Sequence, residues 1–145
     1  LALAYCINTI TKSMGAADFL LGVCESWMTP ALFLSVAFIA GSVISFFTGS
    51  SWGTFAICIP IAVPMAYSFT GGQLGTLVYA AVGAVVSGGL FGDHCSPVSD
   101  TPVLSSLGAA CDHIDHVRTQ LPYALLAAAV SIILWIVVAL VGGAV

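Results

Sequence analysis

Charge is what this chain has least of: two basic residues, Lys12 and Arg118, and six acids among 145 positions. From Ser26 to Gly92 a run of 67 residues contains no Asp, Glu, Lys, Arg or His. With no basic patch to neutralise phosphates, a nucleic-acid partner is excluded. Cysteine is sparse and poorly placed for chemistry. Cys6, Cys24, Cys58, Cys95 and Cys111 are an odd number without zinc or disulfide spacing, and they read as small buried hydrophobes. No H-E-x-x-H occurs, and Leu90-Phe91-Gly92-Asp93 lacks the first glycine of a glycine-any-glycine-aspartate signature. An initiating Met is absent as well. Leu1 opens inside an apolar run, and we expect residues 1–145 to be the C-terminal part of a single, longer transmembrane domain, incomplete at its N-terminus.

What is present is mostly apolar. Hydrophobic residues make up 60% of the chain, and the mean hydropathy is +1.14. Uncharged runs exceed the roughly 20 residues that cross a bilayer, so the fold class is an all-α integral membrane protein. Leu1–Ile10 reads as the end of a membrane helix. Ala16–Ser26 reads as a short interfacial helix, with Phe19, Leu20, Val23 and Trp27 at helical spacing. Ala31–Phe47 and the shorter Phe55–Phe69 flank a polar turn, Thr48–Thr54. We read them as a hairpin, preferably re-entrant, because irregular backbone at membrane depth survives only where protein or water lines it. Pro60 and Pro64 would free backbone carbonyls in its second arm. After a glycine-rich turn at Thr70–Gly75, Leu77–Leu90 forms a helix with small faces at Gly83, Ser87, Gly88 and Gly89, breaking at Gly92. Val103–Ala110 is its discontinuous second half. Cys111–Gln120 reads as an amphipathic interfacial helix and Leu121–Val141 as the clearest span, with Trp135 inside it rather than at an interface.

The polarity is concentrated. Gly92–Pro102 reads G-D-H-C-S-P-V-S-D-T-P, with two carboxylates, an imidazole and three hydroxyls. A carboxylate at membrane depth costs roughly 2.5 to 3.5 kcal/mol on insertion scales unless it is paired or hydrated. Asp93 and Asp100 need compensation, and the basic residue nearest to them in sequence is Arg118. A mobile cation or a proton supplies it at the lowest cost. Breaks at Gly92, Pro97 and Pro102 would expose carbonyl oxygens, and Ser96, Ser99 and Thr101 add hydroxyls, all ligands for a hard cation. Thr48, Ser50, Ser51 and Thr54 offer the same chemistry from the hairpin turn. Asp100 is the preferred carboxylate because Ser99 and Thr101 flank it. His94 is the candidate for pH sensing. Asp112-His113-Ile114-Asp115-His116 has the donor types of a metal cluster, but a solvated helix face suits the spacing better.

Three motifs in order carry a resemblance: Ser45–Thr54, Gly92–Thr101 and Cys111–Arg118. Together they resemble the NhaC-type Na⁺/H⁺ antiporters of the ion transporter superfamily. One departure is Pro102, where family members often have threonine. The resemblance implies a secondary transporter built as inverted repeats, each with a re-entrant hairpin and a discontinuous helix. This chain would be one half, most of the second repeat. Its partners would be membrane lipid, the missing N-terminal half and possible further copies in a homo-oligomer, in a prokaryotic cytoplasmic membrane.

On this reading the protein is no enzyme and has no cofactor. Its cargo is Na⁺ and H⁺, competing for Asp93 or Asp100 within a shell of hydroxyls from both islands. Two alternatives stand beside it: a Na⁺- or H⁺-coupled organic-anion exchanger of the malate/lactate type, and an intramembrane hydrolase using Asp93 and Asp100.

Overall fold

A computed structural model describes residues 6, 9–10, 12–24 and 28–142; within them the chain is helical and contains no strand. The expected helix end at Leu1–Ile10 lies largely outside the described residues, as do Glu25, Ser26 and Trp27. Among the described residues from Ala16 onward, the helices are, in order, α1 (Ala16–Cys24), α2 (Pro30–Thr48), α3 (Ser51–Phe69), α4 (Thr76–Cys95), α5 (Asp100–Gly108) and α6 (His113–Gly142). Of these, α2, α3, α4 and α6 are long and apolar enough to cross a membrane.

Helix α2 starts where its sequence allows. Thr29 Oγ1 accepts the Leu32 N–H at 3.4 Å, and Pro30 occupies the first turn, where no N–H is needed. It stops at Gly49, whose φ of +65° admits glycine and whose N–H closes on Ser45 O at 2.8 Å. Ser50 then caps α3 by accepting the Gly53 N–H at 3.3 Å. The expected seven-residue polar turn is therefore only Gly49–Ser50. Helix α3 also runs unbroken through Pro60 and Pro64. Each proline removes one backbone bond, but an apolar surround offers the rest of the backbone no better partner than the helix. The hairpin arms are 19 residues each, about 28 Å, so each is longer than the short arms expected from the sequence.

Helix α4 packs most extensively on α2, and glycine makes the approach possible. A β-carbon at Gly88 would overlap Phe38 O, and one at Gly92 would overlap Ser42 O and Phe46 N. Within this seam the fully buried Ser45 donates its hydroxyl to Gly89 O at 2.6 Å. Gly92 is thus a packing residue inside α4, not the break. The break lies at Ser96–Ser99, and Pro102 sits in the first turn of α5, where a missing N–H does no harm. Gly83 faces α6, where a β-carbon would meet the Trp135 ring at 3.0 Å.

The expected interfacial helix and final span are one 30-residue helix, α6. Asp112 Oδ1 caps it, accepting the N–H groups of Ile114 at 2.9 Å and Asp115 at 3.2 Å. Pro122 removes one backbone donor, the N–H that would pair with the carbonyl of Arg118, and the helix continues through it. Leu34, Phe38, Ala66, Ala81, Ala84 and Val85 centre the buried core. Phe47, Leu107, Leu126 and Ile133 are among many large apolar side chains left on the outside, a surface that suits a bilayer rather than water.

Candidate functional site

Asp93 lies half-buried in the last turn of α4, and three hydroxyls converge on its carboxylate. Ser99 Oγ donates to Oδ1 at 2.8 Å, and Ser51 Oγ and Thr101 Oγ1 donate to Oδ2 at 3.2 Å each. These groups come from three elements: the head of α3, the break, and the head of α5.

The compensation for this carboxylate comes from helix ends. Ser51 opens α3, and Ser99 caps α5 by accepting the Thr101 N–H at 3.1 Å. Two helix N-termini, each with partial positive charge, therefore stand at Asp93. A hydroxyl that donates to a carboxylate keeps a lone pair free, so each can also turn an oxygen toward a cation.

Hairpin and break are stitched together beside the carboxylate. Ser96 donates its hydroxyl to Phe46 O at 2.6 Å and accepts the Val98 N–H at 3.2 Å. Gly49 presses on the backbone of Val98, whose carbonyl oxygen would lie 2.8 Å from an added β-carbon. Only glycine satisfies both the φ at that turn and this approach. On the other side, His113 Nε2 lies 2.8 Å from Pro97 O.

Of the expected ligands, the structure gathers Asp93, Ser51, Ser99 and Thr101. Asp100, the preferred carboxylate, is exposed at the head of α5, and the hydroxyls on either side of it turn to Asp93 instead. Thr48 donates to Ile44 O at 2.8 Å and the buried Thr54 to Ser50 O at 2.9 Å, so both satisfy their own helices. Ser50 is a cap and Ser96 a staple. His94 is exposed. Among the described residues no group of three His, Cys, Asp or Glu could hold a metal ion, the Asp112–His116 run included.

One feature escapes a reading of the sequence. His113 binds the break from sixteen residues away, which no local pattern signals. Gly49-Ser50-Ser51-Trp52-Gly53 also spells G-x-S-x-G, but it joins two helices rather than a strand and a helix, and Ser51 donates to Asp93.

The profile of the Na⁺/H⁺ antiporter family matches residues 1–140. An uncharacterized protein of Haemophilus influenzae is 46% identical over 136 residues, 93% of this chain and 25% of that protein. The malate-2H(+)/Na(+)-lactate antiporter of Bacillus subtilis is 36% identical over 79% of this chain and 23% of its own length. The Na(+)/H(+) antiporter NhaC of Alkalihalophilus pseudofirmus is 30% identical over 95% of this chain and 29% of its own length. The chain thus spans about a quarter of these curated relatives. No solved structure matches it.

Proposed function

The chain belongs to the Na⁺/H⁺ antiporter family, and on that footing we propose that it forms part of a secondary antiporter in which Na⁺ and H⁺ compete for Asp93. It is an integral, multi-pass membrane protein of a transporter family, so the hydrolase alternative for Asp93 and Asp100 falls away. The observation that carries the reading is the convergence of Ser51, Ser99 and Thr101 on one carboxylate.

A proton on Asp93 leaves the hydroxyls as neutral partners. A Na⁺ ion is held by the carboxylate and by hydroxyl oxygens that have turned their hydrogens outward. Either cargo brings the site to the same net charge. An empty carboxylate remains charged, and moving it through low dielectric costs roughly 2.5 to 3.5 kcal/mol. That is a bias of about two orders of magnitude against crossing empty. Such a bias converts a binding site into an exchanger, because the site returns only when loaded. The hairpin and the broken helix, stitched at Ser96–Phe46 and Gly49–Val98, form the unit that moves. The remaining ligands belong to the rest of an inverted-repeat protein in a prokaryotic cytoplasmic membrane.

One observation favours a second reading. The N-termini of α3 and α5 meet at the site, and such ends also favour the carboxylate of an organic anion. Vesicles containing the full-length protein and a pH-reporting dye separate the two. Na⁺ alone should drive proton movement. A signal that needs malate or lactate as well would favour organic-anion exchange.

A further inference from the structure

The three hydroxyls at Asp93 are not equivalent. Ser99 is fully buried, and its Oγ donates to Oδ1 at 2.8 Å and accepts the Thr101 N–H at 3.1 Å, so its hydrogen and one lone pair are committed. Ser51 Oγ and Thr101 Oγ1 both donate to the other oxygen, Oδ2, at 3.2 Å. That is longer than the roughly 2.5–3.0 Å of an ordinary O–H···O bond, and a charged acceptor shortens such bonds further. Among the described residues these two hydroxyls make no other side-chain hydrogen bond, so each keeps both lone pairs. Asp93 is thus gripped at one oxygen and held loosely at the other. The loose pair also bridges two elements, α3 and α5, whose spacing is set by the Ser96–Phe46 bond and the Gly49–Val98 contact.

We propose that Na⁺ and H⁺ exchange at a single oxygen of Asp93, Oδ2, with Ser51 and Thr101 as the hydroxyl ligands that set cation selectivity and Ser99 as a positioning residue that holds Oδ1 throughout. In the protonated acid, the oxygen accepting the short Ser99 bond is the carbonyl. The hydrogen then sits on Oδ2 and points to a free lone pair on Ser51 or Thr101. When Na⁺ arrives, that proton leaves to water, and the ion takes Oδ2 and the two hydroxyl oxygens as neighbours. The exchange gives up two long bonds and keeps the short one. Ser99 has one lone pair left and no exposed surface through which an ion could reach it, whereas Asp93 and Thr101 are partly exposed. Selectivity between hard cations follows cavity size and ligand number, and here both depend on hydroxyls carried by two separate helices.

The inference rests on Asp93 as the exchange site, and the test separates the two. The full-length antiporter in vesicles takes up radioactive Na⁺ against an opposing proton gradient, with Li⁺ or K⁺ added as competitor. Ser51→Ala and Thr101→Val each remove one ligand and should shift the ratio of Li⁺ to Na⁺ affinity toward Li⁺, the smaller ion, which fills its shell with fewer ligands. Thr101→Ser keeps the hydroxyl and should keep the wild-type ratio. Ser99→Ala should weaken all three ions together, by about tenfold, and leave their ratios unchanged. For a variant that no longer transports, stabilisation of the purified protein against heat by each ion gives the same ratios. A ratio that moves with Ser99→Ala, or that stays at the wild-type value in both Ser51→Ala and Thr101→Val, would overturn the assignment. Failure of Li⁺ to compete in those two variants would overturn it as well. A wild type without Na⁺ uptake, or Asp93→Asn with normal uptake, would instead overturn the proposed function.

Discussion

Ser99 Oγ donates to Asp93 Oδ1 at 2.8 Å while accepting the Thr101 N–H at 3.1 Å. One hydroxyl therefore both starts α5 and orients the carboxylate that ends α4. The two halves of the broken helix are joined through it as well as through the chain, and movement of either half is felt at Asp93.

Replacing Ser99 should damage the site and the helix start together. Ser99→Ala removes a cap, about 1 kcal/mol, and one of three donors to Asp93. The expected result is an apparent KM for Na⁺ raised about tenfold with a modest fall in melting temperature. Ser99→Thr keeps both bonds and should recover most of the affinity. Flux measured over a Na⁺ series reports both.

The α2–α4 seam should tolerate no side chain. Gly88→Ala and Gly92→Ala each drive a methyl into α2 backbone, and overpacking of this kind typically costs about 1–3 kcal/mol. Gly53→Ala meets only Ser50, at 3.6 Å and beyond, and should leave stability within about 0.5 kcal/mol of wild type. Thermal unfolding of the detergent-solubilised protein should place the first two well below the third.

The hairpin turn should behave differently from the seam. Gly49→Ala forces a left-handed residue, about 1–2 kcal/mol, and pushes Val98 away. The strain falls on the contact between hairpin and break, away from the packed core. Transport rate should fall more than stability, seen as reduced maximal flux in protein that still folds and elutes as a single species.

Competition at one carboxylate fixes the sign of the pH dependence. Na⁺ needs the deprotonated group, so its apparent affinity should rise with pH, at most about tenfold per unit, and level off once the carboxylate is free of protons. Sodium titrations at several pH values measure this. A pH-independent affinity would place Na⁺ and H⁺ on separate groups.

The sequence reveals the membrane class, the hairpin, the glycine-rich turn at Thr70–Gly75 and the pairing of the two polar islands. It misplaces details for physical reasons. Ser99 and Thr101 flank Asp100 along the chain, but successive residues at a helix start project about 100° apart, so flanking hydroxyls do not face the side chain between them. They reach Asp93 because the break turns the chain back. Gly92 reads as a breaker yet serves close packing, and Pro60 and Pro64, read as freeing backbone carbonyls, leave α3 unbroken. His113 acts across a fold, and nothing local announces it.

The most direct measurement compares Asp93→Asn with Asp100→Asn in vesicles holding the full-length protein, reading Na⁺-driven proton movement with a pH dye. Asp93→Asn should abolish the signal, because an amide neither binds H⁺ nor balances Na⁺. Asp100→Asn, altering an exposed position, should retain most of it. The reverse pattern, or a full signal from Asp93→Asn, would contradict the assignment of the site to Asp93.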